Sequence, residues 1–121
     1  MSDLEQWKNK GLFAKTLYSM NGLYSAFVTE RAVRSEALCS AAALLLAFFM
    51  RCRPEEIFCV LLASLFPIVI ELINTAVERL IDANFGPAFR DEVRIQKDTL
   101  SAAVFLSLIV GYGGCLLIIF C

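Results

Sequence analysis

Apolar and polar positions change their spacing sharply along this 121-residue chain. Near the N-terminus, Phe13, Leu17, Met20, Tyr24 and Phe27 are separated by steps of 4, 3, 4 and 3 residues. At 3.6 residues per turn they stay within about 40° of one line, which predicts an amphipathic helix over roughly residues 5–28. Lys8, Lys10 and Lys15 gather at its start, so this helix is expected to lie on a membrane surface, or against the protein's own core, or both. No long apolar core follows the first basic residues, so a secretory signal peptide is not expected.

Further along, the pattern becomes continuous rather than periodic. Residues 99–121 are 23 positions without a charge, long enough for a helix to cross a bilayer. Residues 37–50 and 57–70 form two further uncharged runs of 14, bounded by Glu36 and Arg51 and by Glu56 and Glu71. Each reaches spanning length only if its helix continues through the polar flank. The expected architecture is therefore an all-α membrane protein with a surface helix and three transmembrane helices, at about residues 32–50, 56–82 and 98–120, in one domain covering 1–121. Pro67 falls inside the second span and predicts a local kink, while Gly111, Gly113 and Gly114 in the third suit close helix packing in lipid.

Composition supports this reading and removes several chemistries. The hydrophobic share is 59% and mean hydropathy is +0.68, above what a soluble domain of this size carries. A net charge of -1 with no basic block excludes a nucleic-acid-binding module. With no histidine, Ser-His and Cys-His nucleophile pairs and His-ligated metals are excluded. The five cysteines lack CxxC spacing, and neither GxxxxGK[ST] nor GxGxxG occurs. Acid-base chemistry must fall to Asp, Glu, Lys or Tyr, and a divalent ion would be held by oxygens, which favours Mg²⁺.

The 23 charges are distributed unevenly. Residues 1–36 and 79–98 hold nine of the Lys and Arg side chains, whereas the 51–56 loop holds two, Arg51 and Arg53. That asymmetry predicts a cytoplasmic N-terminus, a cytoplasmic 79–98 connection and an external C-terminus.

Chemistry is expected where the second span runs out. Glu71, Asn74, Glu78 and Asp82 fall on one helical face, at about 0°, -60°, -20° and +20°, while Leu72, Ile73, Ala76, Val77, Leu80 and Ile81 keep the other faces apolar. Ionisable groups at membrane depth normally face a functional cavity or a partner. A second cluster, Thr29 to Glu36, contains Glu30 and Arg34 at i, i+4 spacing. The third is Gln96-Lys97-Asp98-Thr99, with Lys97 expected near a helix N-terminus, where it can hold an anion. Carboxylates for a metal, a lysine for phosphate and a spare carboxylate for a base are the parts phosphoryl transfer needs.

These blocks resemble the small prokaryotic integral-membrane lipid kinases, the family of diacylglycerol kinase and undecaprenol kinase. The resemblance runs from Ser19 to about Val104, centred on ELINTAVERLID (residues 71–82) and supported by GLYSAF, TERAVRSE and KDTLSAAV. It implies a homotrimer of three-span subunits in the bacterial inner membrane, phosphorylating a lipid hydroxyl with Mg-ATP at the cytoplasmic face. By the same resemblance, Glu71 is the general base and Asn74 orients groups near it. Glu30 and Glu78 ligate Mg²⁺, Lys97 neutralises phosphate, Asp98 and Tyr18 neighbour the nucleotide, and Arg34, Glu36 and Ser101 line the lipid path. Two places depart from the family pattern: Gly11, beside Lys10, stands where an arginine is usual, and residues 85–96 lack the usual Tyr-His pair. Glu36 matches the diacylglycerol branch, so conversion of diacylglycerol to phosphatidate is the leading expectation. The alternatives are phosphorylation of undecaprenol, or a non-catalytic bundle using Glu71, Glu78 and Asp82 as a cation path.

Overall fold

Four helices, separated by short connections, make up the described chain. The computed structural model describes residues 11–85 and 91–121. Helix α1 spans Leu12–Thr29, α2 Arg31–Phe49, α3 Pro54–Phe85 and α4 Asp91–Phe120. They fall into two units, one ending at Arg31 and one comprising Ala32–Cys121.

The first unit is α1. Its predicted stripe is present: Phe13, Leu17, Met20, Tyr24 and Phe27 are all exposed, a row of large apolar side chains on one helix. Hydroxyl groups on the polar positions satisfy themselves locally, with Thr16, Ser19 and Thr29 donating to the carbonyls of Leu12, Lys15 and Ser25. The helix stops at Glu30, whose backbone is extended (φ -110°, ψ 115°) while its N–H still reaches Ala26 O. The expected start of this helix near residue 5, with Lys8 and Lys10, lies outside the described residues.

The second unit holds α2, α3 and α4, each long and apolar enough to cross a membrane. Large side chains such as Phe48, Phe58, Phe66, Ile73, Phe105, Val110 and Leu117 point outward on all three helices. An exterior this apolar suits hydrocarbon rather than water, and the protein is a membrane protein.

α3 organises the unit. It is one continuous 32-residue helix, so the uncharged run of residues 57–70 and the carboxylate-bearing segment after it are a single element. Pro54 at its first position loses nothing, because the first N–H groups of a helix have no partner within it. Glu56 reaches back to the Arg53 backbone N–H at 2.9 Å, closing the N-terminus as the acid of a capping box does.

α4 lies antiparallel against α3 in close backbone approach. Three contacts set the register: Pro67 against Gly111, the Cys115 thiol donating to Val60 O at 3.5 Å, and Lys97 on Asp82 at 2.8 Å. A Cβ on Gly111 would lie 2.6 Å from Pro67 Cδ and 2.8 Å from Ala63 O, so only glycine allows the two helices this close. The other two glycines are different: nothing lies within 4 Å of a Cβ at Gly113, and one at Gly114 would make an ordinary contact at 3.7 Å. α2 touches the pair through side chains instead. Ala47 joins Val60, Cys115 and Ile119 in the apolar core at one end, and Ser40 and Ser64 share a buried hydrogen bond of 2.7 Å midway.

Candidate active site

Polarity rises along α3 from its middle to its C-terminal end, and the site is built on that gradient. Ser64 is fully buried and tied to Ser40 of α2. Two turns on, Glu71 is 7% exposed, and Asn74 and Thr75 follow at 7% and 5%. Glu78 is half-buried and Asp82 is exposed. The face predicted from spacing is thus real, and it runs from a dry interior to the surface within three turns.

Glu36 of α2, 6% exposed, interacts electrostatically with Glu71 across the α2–α3 seam. The antiparallel register brings Ser107 of α4, 2% exposed, to the same level, where its hydroxyl donates to Val104 O at 2.6 Å. Three helices therefore place polar side chains in one layer of an otherwise apolar unit. Glu36 Oε2, Asn74 Oδ1 and Thr75 Oγ1 are buried there with no hydrogen-bond partner among the described residues. A buried oxygen left without a donor costs about 1–3 kcal/mol, so each of the three is an acceptor able to take a hydrogen bond from a water or a hydroxyl.

At the open end, Lys97 Nζ donates to Asp82 Oδ1 at 2.8 Å and also lies in the field of Glu78. Lys97 does not stand at a helix N-terminus, contrary to expectation. The helix already includes Asp91, so Lys97 lies well inside it, beyond the first turn where a helix dipole acts. A cation there acts through its own charge, and its neighbours are the carboxylates of α3. Asp98 and Ser101 follow on exposed positions, Ser101 at the level of Glu78. Ile81, Phe85, Glu92, Val93 and Gln96 line a cavity of about 180 Å³ beside them.

The remaining expected residues are distributed as follows. Arg34 is half-buried near the start of α2. In the first unit, Tyr18 is exposed on α1 and Glu30 is half-buried at its C-terminal cap. Of the two departures from the family pattern, Gly11 caps α1 without a side-chain bond, whereas Lys10 and residues 86–90 lie outside the described residues.

Thr75, Ser40, Ser64 and Ser107 were not singled out from the sequence. The available signal was a hydroxyl inside an apolar run, which is weak because serine and threonine so often bond to their own helix. No group of three or more Cys, Asp or Glu side chains forms a metal cage among the described residues. An ion such as Mg²⁺ takes one or two carboxylates plus waters and substrate phosphates, and the half-buried carboxylate of Glu78 is a donor of that kind.

The fold and site define a class: a small helical membrane protein with carboxylates and a lysine gathered at one end of its spans. Residues 17–120 match the model of the prokaryotic diacylglycerol kinase family. A diacylglycerol kinase of Haemophilus influenzae is 37% identical over 108 residues, 87% of this chain and 91% of that protein. A Helicobacter pylori diacylglycerol kinase is 33% identical over 113 residues, covering 90% and 88%. One from Synechocystis is 30% identical over 103 residues, 84% of this chain, which spans only 59% of that longer relative. The chain belongs to the prokaryotic diacylglycerol kinase family, and by class is a lipid kinase. Membership implies phosphotransfer from ATP to a membrane lipid.

Proposed function

We propose that the protein transfers the γ-phosphoryl group of ATP to the free hydroxyl of diacylglycerol, giving phosphatidate and ADP. The observation that carries this reading is the gradient along α3, which joins a dry layer containing Glu71 to a charged end containing Glu78, Asp82 and Lys97. A lipid hydroxyl arrives from the bilayer and a nucleotide from water, and they meet where such a gradient passes through the interface.

Glu71 takes the proton of the hydroxyl as its oxygen attacks the γ-phosphorus, and the bond from that phosphorus to the β-phosphate oxygen breaks. Asn74, one turn away, orients the hydroxyl or the carboxylate. Lys97 neutralises phosphate charge, with Asp98 and Tyr18 beside the nucleotide. Glu30 and Glu78 are the proposed ligands of Mg²⁺, which supplies further neutralisation of charge on the transferring group. Arg34, Glu36 and Ser101 line the path of the lipid. The working form is a homotrimer in the bacterial inner membrane, N-terminus and site cytoplasmic, C-terminus external. The exposed apolar faces of α2, α3 and α4 leave ample surface for lipid and for further copies.

The test is transfer of radiolabelled phosphate from ATP with diacylglycerol or undecaprenol as acceptor. Label in phosphatidate is expected. Label confined to undecaprenyl phosphate would assign the second substrate instead, and cation binding with no transfer to either lipid would favour a non-catalytic bundle.

A further inference from the structure

At the end of the unit opposite the Asp82–Lys97 pair, the α2–α3 turn is built with unusual care around one arginine. Met50, Arg51 and Cys52 donate their backbone N–H groups to Leu46, Phe48 and Ala47 at 2.9, 3.1 and 3.1 Å. The bonds from Arg51 and Cys52 are the pair of a Schellman motif, and Cys52 packs near Ala47, as the residue after the left-handed position commonly does. The left-handed position itself is Arg51, at φ 58°, in a place where glycine is the usual residue. A side chain with a Cβ is strained in that conformation. The turn forms in spite of that strain, and a strained non-glycine residue of this kind points to a contact made by its side chain.

The surroundings of the side chain indicate what it serves. Arg53, two residues on, is engaged by Glu56, with Nε to Oε1 at 3.2 Å. Arg51 forms no ion pair or hydrogen bond through its guanidinium among the described residues. It is the one charged residue lining a depression of about 640 Å³, whose other walls are Phe48, Phe49, Cys52, Pro54 and Ile57. Glu55 lines a separate hollow with Arg53, Glu56 and Cys59. Phe48 and Phe49 are 69% and 74% exposed at the end of a spanning helix, a position at the level of lipid headgroups.

We propose that the α2–α3 turn is a binding site for an anionic phospholipid, with the Arg51 guanidinium on its phosphate and Phe48, Phe49 and Ile57 against the top of its acyl chains. A single unpaired cation in an apolar depression complements an amphiphile with one negative charge. A zwitterionic lipid would bring a second cation into the same place. The forked donors of arginine match a phosphate diester in a way a lysine would not. The site is remote from the kinase residues and does not depend on their assignment.

The test uses the full chain in nanodiscs of phosphatidylcholine with and without phosphatidylglycerol, comparing wild type with Arg51→Gln and Arg51→Gly. The readouts are the thermal midpoint and the phosphatidylglycerol retained per subunit. Wild type should be stabilised by phosphatidylglycerol and should retain it with about a five-fold preference, the equivalent of ~1 kcal/mol for one arginine at an anionic surface. Both variants should lose that increment, and Arg51→Gly should have the higher midpoint in pure phosphatidylcholine because the strain is gone. Equal increments in all three proteins, or a glycine variant no more stable than wild type without anionic lipid, would overturn the proposal. Inorganic phosphate added to phosphatidylcholine discs should leave wild type unchanged. A shift as large as that with phosphatidylglycerol would assign the site to free phosphate and overturn the lipid reading.

Discussion

The two seams of α3 are built from different materials. Against α4 it packs by shape: Pro67 and Ala63 meet Gly111 so closely that no Cβ fits, and the backbones approach along the seam. Against α2 it packs by polarity: Ser64 bonds Ser40 and Glu71 faces Glu36. In lipid there is no hydrophobic drive to bring helices together, so association depends on close packing and on polar contacts. Here one seam relies mainly on the first and the other on the second. The division places the proposed base and its buried acidic neighbour where the packing is looser. A tight seam cannot admit a substrate, whereas a polar, less closely packed one can, and the proposed base lies on its edge.

The sharpest way to break that contrast is to fill the tight seam. Gly111→Leu should abolish folded, detergent-extractable protein, because its side chain can be seated only by parting α3 from α4. Gly111→Ala should reduce the thermal midpoint, overpacking costing about 1–3 kcal/mol. Gly113→Ala should leave it unchanged, since nothing lies within 4 Å of the new Cβ. If all three variants behave alike, close approach at Pro67 is not what holds the seam.

In the polar seam the expected loss is of activity rather than fold. Glu71→Gln should lower kcat by ~10² or more, with nucleotide binding and thermal midpoint retained, as loss of a positioned base does. Wild-type turnover of this variant would remove the role. Glu78→Gln, further out along the same face, should raise the Mg²⁺ concentration needed for half-maximal rate, and an unaltered metal titration would count against it as a ligand. Smallest of all is the serine pair. Ser64→Ala should cost about 1 kcal/mol by leaving Ser40 without its buried partner, and Ser40→Ala/Ser64→Ala together should cost less than the two single changes added. Strict additivity in that double-mutant cycle would show that the 2.7 Å bond does not hold α2 to α3.

Much of this was legible in the chain because it depends on local period and length. An uncharged run of 23 residues has few uses other than to cross a bilayer, and carboxylates at helical spacing share a face whatever surrounds them. Glu71, Asn74, Glu78 and Asp82 were therefore assigned to one side of α3 before any neighbour was known. The position of Lys97 differs from expectation for a related reason: five of the seven residues 91–97 are polar and suggest a helix beginning later, yet the helix already includes Asp91. Of three glycines close together in α4, spacing could not tell that Gly111 alone carries the contact.

The amino-acid sequence by itself determined the helices, the membrane and the face on which the carboxylates stand, because each follows from periodicity and transfer free energy along one element. Only the tertiary structure decided which of those groups are dry, which helix each one meets and where the packing leaves room. It also showed Lys97 paired with Asp82, Glu36 across from Glu71, and an arginine held in a glycine's conformation at the far turn. Those outcomes depend on register between helices, and register is set by a few close contacts, such as Pro67 on Gly111, whose energy no single segment contains.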